Sequence, residues 1–329
     1  MKKIGLFFVG LVLVSLVACS PLVLPGGTVF SLSCGVNAHL PDDPTLDAIV
    51  AAGMEWVRLS VSWALVEVEQ GLCFWDFVDD RVQAAQQRGL RILLSVSETP
   101  DWASDSGEKN AIPRNPEDWQ AFMEQVVQRY PGVEYWGIWN EPNGGDGEFF
   151  SGSPAEFRDA ILLPGAQGVL QGDPGAKIVA PGITIHTGWQ DWMQEIFTPG
   201  VKELVDVVSV HLYVQGDADD LFWYVDYRDE FLDDILPLEN VLLDLGLQEY
   251  PVWLEETGWN TWGPGAVSES QQADYFHQLL VGFLQRKCIE VIFPYEMIDD
   301  PEAPKGFGLL RADSSPKAAY GVFQDFFGR

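Results

Sequence analysis

The stretch VEYWGIWNEPN, residues 133–143, decides how the rest of this chain is interpreted. A short apolar run ends in Asn140, Glu141 and Pro142, and it has the length and composition of a buried strand. Pro142 should end the strand, because proline cannot donate a hydrogen bond to a sheet ladder. Core packing gives no reason for a carboxylate at that point. We therefore expect Glu141 at the carboxyl end of a buried strand, where burial would raise its pKa.

A second run of the same kind is PVWLEETGW, residues 251–259. Its apolar residues stop at Glu255 and Glu256, and tryptophans lie on both sides of this carboxylate pair. Glycoside hydrolysis uses two carboxyl groups that flank the scissile bond. Two strand-end carboxylates beside tryptophan make that reaction the first functional hypothesis.

The N-terminus has the pattern of an export signal. Two lysines precede an apolar run over residues 4–18, which is too short to span a membrane comfortably. The run ends in LVAC, residues 16–19, which resembles the lipobox of bacterial lipoproteins. This resemblance implies removal of residues 1–18, lipidation of Cys19 and a tether over residues 19–30. An ordinary secretory signal cut nearby is the alternative, and both predict an exported protein that the lipid would hold at a membrane or cell surface.

The composition limits the partners of the protein. It contains 49 acidic and 19 basic residues, so its net charge is -30. A chain of this charge repels nucleic acid and other polyanions, and it has no basic patch to offset the repulsion. We expect a monomer that binds a neutral carbohydrate rather than an acidic polysaccharide or nucleic acid.

Cysteine and histidine spacing gives no sign of a metal or other cofactor. Cys34, Cys73 and Cys288 remain once Cys19 is set aside, and no pair has CxxC spacing. One disulfide is still possible in an exported protein, and Cys34 with Cys288 is our choice. The four histidines show neither HxH nor HExxH spacing. They are His39, His186, His211 and His277.

Short apolar runs alternate with helical patterns through the rest of the chain. The helical patterns include N-caps at Asn115 and Ser268 and a terminating glycine at Gly89. Strict alternation indicates parallel strands joined by crossover helices, and a single (β/α)8 barrel over residues 31–329 suits the length. A doubly wound sheet is the rival, but no glycine-rich phosphate loop follows the first run. The eight runs are residues 31–39, 55–61, 91–97, 133–140, 177–183, 205–213, 251–256 and 290–296.

A barrel brings the carboxyl ends of all its strands to one face, so unusual polar and aromatic residues should collect at those ends. They do so at seven of the runs, which core packing alone does not explain. These residues are Asn37 and His39, Arg58 and Trp63, Glu98 and Trp102, Asn140 and Glu141, His211 and Tyr213, Glu256 and Trp259, and Glu296 and Asp299.

The motifs resemble glycoside hydrolase clan A, the retaining (β/α)8 glycosidases, over about residues 34–328. WNEP and TGW resemble the acid/base strand and the nucleophile strand. In VRLSVSWALVEVEQG, Arg58 matches the arginine beneath the nucleophile, and in SVHLY, His211 and Tyr213 match the pair on the sixth strand. FGLLRADSSPKAAY resembles the closing segment of these barrels. The nearest families are the xylosidase-like family thirty-nine and the cellulase-like family five.

The resemblance implies a retaining mechanism with Glu256 as nucleophile and Glu141 as acid/base. Alignment through TGW selects Glu256, although the family pattern usually has threonine where this chain has Glu255. Glu255 should then face the opposite side of the strand. Trp136 or Trp139 would form an apolar wall that raises the pKa of Glu141.

The remaining site residues are assigned by the same resemblance. Arg58 and Tyr213 would keep the nucleophile ionised, and Asn140 would bind the sugar 2-hydroxyl. For Arg58 the alternative is a pair with a structural carboxylate, and for His39 and His211 it is a satisfied core histidine. The expected substrate contacts are Arg58, Asn140, His211, Tyr213, His39, Trp63, Trp102, Trp259 and Glu296.

Tryptophan is mostly a core residue, so we expect two of Trp63, Trp102, Trp259 and Trp262 to stack on sugar. Three others lie within strand or helix patterns and are interpreted as packing residues. They are Trp56, Trp75 and Trp119. The acidic stretch over residues 217–234 is interpreted as a solvated loop and helix, with a cleft wall as the alternative.

The functional prediction is a retaining β-glycoside hydrolase that acts within a neutral polysaccharide or on oligosaccharides. The strand-to-helix loops are too short for a separate lid domain, which favours internal cleavage. The alternative is a surface carbohydrate-binding protein that kept the barrel and lost turnover. Barrel enzymes that handle phosphate are disfavoured, because Lys177 opens its strand rather than ending it.

Overall fold

The computed structural model describes residues 32–186, 188–218, 220, 238–286, 288–303 and 305–328. The predicted signal, the lipidation of Cys19 and the tether lie outside the described residues. The same is true of most of the acidic stretch over residues 217–234. Among the helices of the described part, none is both long and apolar enough to span a membrane.

Strands and helices alternate as the sequence predicts, and each of the eight apolar runs contains a strand. The strands are β1 (Ser33–Cys34), β2 (Asn37–His39), β3 (Trp56–Ser62), β4 (Glu67–Glu69), β5 (Leu72–Cys73), β6 (Arg91–Ser97), β7 (Tyr135–Ile138), β8 (Lys177–Val179), β9 (Ile183–Thr184), β10 (Val208–His211), β11 (Val252–Thr257) and β12 (Val291–Pro294). The helices are α1 (Asp43–Ala51), α2 (Trp63–Val66), α3 (Asp76–Gln87), α4 (Pro116–Arg129), α5 (Pro154–Phe157), α6 (Leu163–Gly172), α7 (Trp189–Ile196), α8 (Pro199–Lys202), α9 (Leu238–Asp244), α10 (Glu269–Arg286) and α11 (Ala318–Phe327).

The strands form two parallel half-sheets, in the orders β2-β3-β6-β7-β8 and β9-β10-β11-β12-β1. The chain crosses from one half to the other between β1 and β2. There the Gly35 amide donates to Ile292 at 2.9 Å, and Arg58 donates its amide to Val36 at 3.0 Å. β1 and β2 thus act as one barrel strand that joins β12 to β3.

The other junction lies between β8 and β9, which also act as one barrel strand. The Ala180 amide donates to the Val207 carbonyl at 2.9 Å, and Val179 bridges Val207 in parallel. With both junctions bonded, eight strands surround a common axis, and the chain forms the predicted (β/α)8 barrel. The antiparallel pair β4-β5 lies apart from this ring.

Aromatic and aliphatic side chains fill the amino-terminal half of the barrel interior. Trp56 meets Trp253 at a centroid distance of 4.9 Å and Tyr135 at 5.0 Å, and the Arg91 guanidinium lies 3.8 Å from the Trp56 ring centroid. Successive inward positions on a strand are two residues apart. The next inward position after Trp56 is therefore Arg58, which places this arginine directly above the apolar layer.

The helix termini follow the sequence signals in part. Ser268 accepts from the Gln271 amide at 3.2 Å ahead of α10, as its predicted N-cap role requires. Gly89 follows α3 with φ 73°, a conformation that glycine adopts without strain. Asn115 precedes α4, but its side chain makes no capping hydrogen bond.

The disulfide that we expected is wrong. Cys34 is a buried free thiol, and burial raises its pKa well above the ordinary value. The reason is register, because Cys34 lies beside Ile292 in β12, whereas Cys288 comes four residues earlier in the chain.

Candidate active site

A cleft of about 870 Å³ opens at the carboxyl ends of the barrel strands. Residues that follow seven different strands line it, so the polar clustering seen in the sequence has a structural counterpart. Of the predicted site residues, those that line the cleft are His39, Arg58, Asn140, Glu141, Tyr213, Glu256 and Trp259.

Backbone strain is concentrated around the cleft. Among the described residues, five non-glycine residues have positive φ, and four of these line the cleft. Such conformations cost about 1–3 kcal/mol each and persist where the surroundings impose them, as at functional sites. The four are His39 (φ 52°), Glu98 (69°), Trp139 (71°) and Glu141 (42°).

Glu256 ends the inward face of β11 and is held through both carboxylate oxygens. Arg58 donates from Nη1 to Oε1 at 2.6 Å, and the Tyr213 hydroxyl donates to Oε2 at 2.8 Å. Glu256 is only 7 % exposed, and that exposure faces the cleft. Each oxygen of this carboxylate therefore has a donor, and one of the two donors is a cation.

Glu255 also faces Arg58, so the expectation that it points to the opposite side is wrong. Its Oε1 lies 2.5 Å from Arg58 Nε, and Ser209 donates a short hydrogen bond to its Oε2. The cause is a β-bulge. Val210 pairs with Leu254 but His211 pairs with Glu256, so β11 contains one extra residue. The bulge lets two consecutive side chains enter the barrel.

Arg58 is the buried cation that joins these groups. Besides the two glutamates, its Nη1 donates to Asn37 at 2.8 Å and its Nη2 donates to Asn140 at 2.7 Å. Burial alone would lower the pKa of Arg58, but the charges of Glu255 and Glu256 outweigh it and raise the pKa. Arg58 therefore contacts Glu256, as the resemblance implies, and also pairs with a second buried carboxylate, as the structural alternative requires.

Arg58→Met is expected to lower the free energy of unfolding by about 3–5 kcal/mol, because it leaves two buried carboxylates without a cation. Arg114→Met is the matched control. The Arg114 side chain is 53 % exposed and lies 3.6 Å from Asp105, so its loss should cost within about 0.5 kcal/mol. Urea unfolding of the two variants measures the difference. A loss of less than about 1 kcal/mol in the free energy of unfolding of Arg58→Met would contradict the role of Arg58 as the cation that pairs with both buried carboxylates.

Glu141 lies beside Glu256 and is bound by His211. His211 Nδ1 is 2.8 Å from Glu141 Oε1 and 3.5 Å from Glu256 Oε2. One oxygen of each glutamate lies within 4.8 Å of the other. His211 is fully buried, and Gly182 makes room for it, since a Cβ at Gly182 would lie 2.0 Å from His211 Nε2.

The pKa of Glu141 is lowered in this structure, contrary to the sequence-based expectation. Burial acts to raise this pKa, but the hydrogen bond and charge of His211 outweigh it. The pKa of His211 is raised, because the charges of Glu256 and Glu141 outweigh burial. Trp136 does not form the expected wall, as it points out of the barrel next to inward-facing Tyr135. Trp139 does line the cleft.

Stability should respond to pH through this pair. The lowered pKa of Glu141 stabilises the fold above about pH 4.5, and this contribution is lost as pH falls through the folded-state pKa. The raised pKa of His211 stabilises the fold below about pH 6.5, and this contribution is lost as pH rises through the folded-state pKa. The melting temperature of His211→Gln should therefore fall furthest below that of wild type between about pH 4.5 and pH 6.5.

The measurement is thermal unfolding of wild type and His211→Gln from pH 3 to 9. His277→Gln is the control, because His277 is exposed on α10 and lies far along the chain from the site. A His211→Gln deficit that stays constant across the whole range would contradict the ionised Glu141–His211 pair.

Glu141, His211 and Glu256 each have a side-chain atom that could bind a cation, and these three atoms lie within 4.8 Å of one another. However, His211 is hydrogen-bonded to Glu141, and Glu256 is hydrogen-bonded to Tyr213 and to the Arg58 guanidinium. The positive charge at this point is therefore supplied by the protein itself. Glu141 and Glu256 therefore form a carboxylate pair in which each member has hydrogen-bond partners from the protein.

The prediction that Trp63 and Trp102 contact the substrate is wrong. Trp63 is fully buried, donates from Nε1 to Glu67 at 2.7 Å and stacks on Phe122 at 5.6 Å. Trp102 packs edge-on against Trp63 and donates to the Glu67 carbonyl. Because β3 ends at Ser62, Trp63 begins α2 and turns into the outer helical layer. Trp259 is the one of the four that lines the cleft, while Trp262 packs against Gly306.

The other strand-end predictions have mixed outcomes. Glu296 is buried behind His39, and their side chains approach to 3.5 Å. Glu98 lines the cleft and accepts from Lys109 at 3.0 Å. Asp299 is buried in a pair with Lys317 at 2.7 Å and does not line the cleft.

Several residues that line the cleft were missed in the sequence. Tyr295 stands at the end of the last strand beside the predicted Glu296, so its position was an available signal. Lys109, Lys305 and Phe307 come from loops whose paths no periodic pattern predicts. Phe307 and Tyr295 meet at a centroid distance of 5.8 Å and form an aromatic wall.

Comparison with protein families gives a match to the cellulase model, described as glycosyl hydrolase family 5, over residues 24–293. The matched region covers most of the chain and includes both carboxylate strands. The chain belongs to glycosyl hydrolase family 5. No curated protein matches it.

Solved structures resemble this family 5 chain across nearly its whole length. A family 39 glycoside hydrolase from Bacteroides cellulosilyticus WH2 is 21 % identical with a TM-score of 0.70, covering 91 % of this chain and 64 % of the other. A family GH5_18 protein from Streptomyces cattleya in complex with GlcNAc is 18 % identical with a TM-score of 0.67, covering 91 % and 80 %. An exo-beta-1,4-mannosidase from Opitutaceae bacterium strain TAV5 is 16 % identical with a TM-score of 0.62, covering 93 % and 61 %. At these identities the likeness shows a shared fold.

The chain is shorter than the first of these structures. It spans 64 % of the family 39 protein and 66 % of a glucosidase from Croceicoccus marinus.

Proposed function

We propose that the protein is a retaining β-glycoside hydrolase that acts by double displacement on a neutral polysaccharide or oligosaccharide. The observation that carries the proposal is the approach of Glu141 and Glu256 to within 4.8 Å at the base of the cleft. Retaining glycosidases separate their two carboxyl groups by about 5–5.5 Å, whereas inverting enzymes need about 6.5–9.5 Å for a water molecule.

Glu256 attacks the anomeric carbon, and the bond to the leaving oxygen breaks as the glycosyl–enzyme ester forms. Arg58 and Tyr213 bind the two oxygens of Glu256, so the carboxylate is already oriented before substrate arrives. Asn140 binds the sugar 2-hydroxyl, and its hydrogen bond from Arg58 supports this role by fixing its side chain beside Glu256.

Glu141 donates a proton to the leaving oxygen and then removes one from the attacking water. In the free protein this carboxyl group shares its hydrogen bond with His211, and the pair titrates as a unit. Bound sugar excludes water from the cleft, which favours the neutral acid at Glu141. The second displacement returns the proton to the pair and releases the sugar with its original anomeric configuration.

The lining of the cleft supports a neutral sugar. Aromatic faces suit the apolar CH side of a pyranose, and the half-buried rings of Tyr295 and Phe307 supply them, whereas Trp259 is only 3 % exposed. The acidic side chain of Glu98 is paired with Lys109. In the described part of the chain no strand-to-helix segment is long enough to form a separate lid domain, which supports cleavage within a chain rather than at its ends, although one structural neighbour is named as an exo-mannosidase.

The test is reducing-sugar release from a panel of neutral β-glycans and 4-nitrophenyl β-glycosides. Wild type is compared with Glu141→Gln and Glu256→Gln. Release by wild type and its loss in both variants supports the proposal and identifies the sugar. Glycan binding without release on any substrate would instead favour a carbohydrate-binding protein that lost turnover.

We also propose that the mature protein is an exported monomer anchored through a lipid on Cys19. The support is the lipobox-like LVAC sequence after the apolar run. Radiolabelled palmitate should enter wild type and not Cys19→Ser when each is expressed in a bacterium, and light scattering of the protein without its leader should give the monomer mass. Equal labelling of both proteins, or none in wild type, would contradict the anchor.

A further inference from the structure

One buried carboxylate has no role in the mechanism described above. Glu255 is 1 % exposed and does not line the cleft. It occupies the inward position directly above Trp253, where an apolar residue would fill the barrel. A carboxylate buried without partners costs several kcal/mol, so its place depends on the groups around it.

The partners of Glu255 come from three other strands of the barrel. Arg58 on β3 meets Oε1 at 2.5 Å, Ser95 on β6 donates to Oε1 at 3.2 Å, and Ser209 on β10 donates to Oε2. Each oxygen therefore has a donor, and the whole carboxylate is fixed. Its backbone carbonyl also accepts from Asn37 at 2.8 Å.

The guanidinium of Arg58 forms ion pairs with two carboxylates, those of Glu255 and Glu256. Its Nε edge is bound by Glu255, its Nη1 is bound by Glu256 and its Nη2 is bound by Asn140. Glu255 therefore fixes the edge of the guanidinium that faces away from the cleft. The other two nitrogens are left in position for the groups that face substrate.

We propose that Glu255 is a positioning residue that acts through Arg58 to set the basicity and orientation of the nucleophile Glu256. This inference rests on the glycosidase function proposed above. Glu255 withdraws part of the Arg58 charge from Glu256 and adds a second negative charge nearby. Both effects make Glu256 a more basic nucleophile than Arg58 alone would permit.

Other titratable groups surround this cluster but do not contact the Glu255 carboxylate. His211 on β10 faces Glu141 and Glu256, and Tyr213 binds Glu256. Tyr295 lies after β12, and its burial, together with the charges of Glu296 and Glu256, raises its pKa. Arg58 is thus the cation in the described part of the chain that contacts both Glu255 and Glu256.

The test replaces Glu255 with its uncharged isostere in Glu255→Gln. We expect the acid limb of the kcat/KM–pH profile to move down by about one pH unit, because Arg58 then serves Glu256 alone. A less basic nucleophile should also lower kcat at the optimum by roughly tenfold. The profile is measured with a 4-nitrophenyl β-glycoside that wild type hydrolyses.

Glu67→Gln is the matched control, since Glu67 is also buried but binds Trp63 and the Gly71 amide outside the barrel. It should leave the acid limb in place. Equal loss of activity at every pH in Glu255→Gln, with the limb unmoved, would overturn the proposal and leave Glu255 a structural residue.

A second readout needs no substrate and separates this inference from the proposed function. In protein labelled with 15N-arginine, the pH transition of the Arg58 side-chain resonance reports the ionisation of its partners. We expect the Glu256 component of this transition, identified by its loss in Glu256→Gln, to move to lower pH in Glu255→Gln. An unmoved transition overturns the role of Glu255, whereas an inactive wild type overturns only the glycosidase.

Discussion

Glu256→Gln is expected to lower kcat/KM by at least about 10⁴-fold, because an amide cannot form the glycosyl–enzyme ester. Glutamine has nearly the same shape, its carbonyl oxygen can still accept from Arg58 Nη1, and its amide nitrogen can donate to the Tyr213 hydroxyl oxygen. The melting temperature should therefore change little, and the loss should appear in both kcat and kcat/KM. Release of 4-nitrophenol by the purified variant measures the effect.

The adjacent glutamate is the matched control for this substitution. Glu255→Gln should keep roughly a tenth of the activity, because Glu255 acts on the nucleophile only through Arg58. A 2-deoxy-2-fluoro glycoside that traps the intermediate should label the peptide over residues 251–259 at Glu256. Labelling at Glu255, or a more severe loss in Glu255→Gln than in Glu256→Gln, would show that the wrong neighbour was assigned.

Glu141→Gln is expected to lower activity by about 10²–10⁴-fold on substrates with a sugar leaving group, which needs a proton as it departs. A 2,4-dinitrophenyl glycoside needs no such proton, so its first step should be nearly unaffected and the glycosyl–enzyme should accumulate. The measurement is a burst of dinitrophenol under single-turnover and multiple-turnover conditions.

Azide provides the confirming experiment for Glu141. It attacks the glycosyl–enzyme without help from a base, so it should restore turnover of Glu141→Gln and yield a β-glycosyl azide. It should give no β-azide with Glu256→Gln, where that intermediate does not form. Equal losses on both leaving groups, without rescue by azide, would assign the acid/base to another residue.

The barrel and the reactive pair could be predicted because their signals are local. The apolar runs have strand length, and proline or polar residues end them, so the runs alone indicate where Glu141 and Glu256 stand. Parallel strands then bring those ends to one face. This explains why Arg58, Asn140, His211 and Tyr213 also came together as expected.

What the sequence did not predict depends on geometry that spans several strands. Alternation counted from Glu256 placed Glu255 on the outer face, but a bulge opposite Val210 and His211 lets both side chains enter the barrel. Burial suggested a raised pKa for Glu141, but a histidine 70 residues away reversed the direction. Trp63 was assigned to the cleft, but β3 ends one residue earlier.

The central claim is that Glu141 and Glu256 perform two successive displacements at one anomeric carbon. Proton NMR during hydrolysis of the best β-glycoside tests it most directly, because it detects the first anomer released before mutarotation. The proposed mechanism predicts that the β-anomer appears first and the α-anomer only as equilibrium is reached. Initial release of the α-anomer would mean a single inverting displacement, and the two carboxylates would then need different roles from those assigned here.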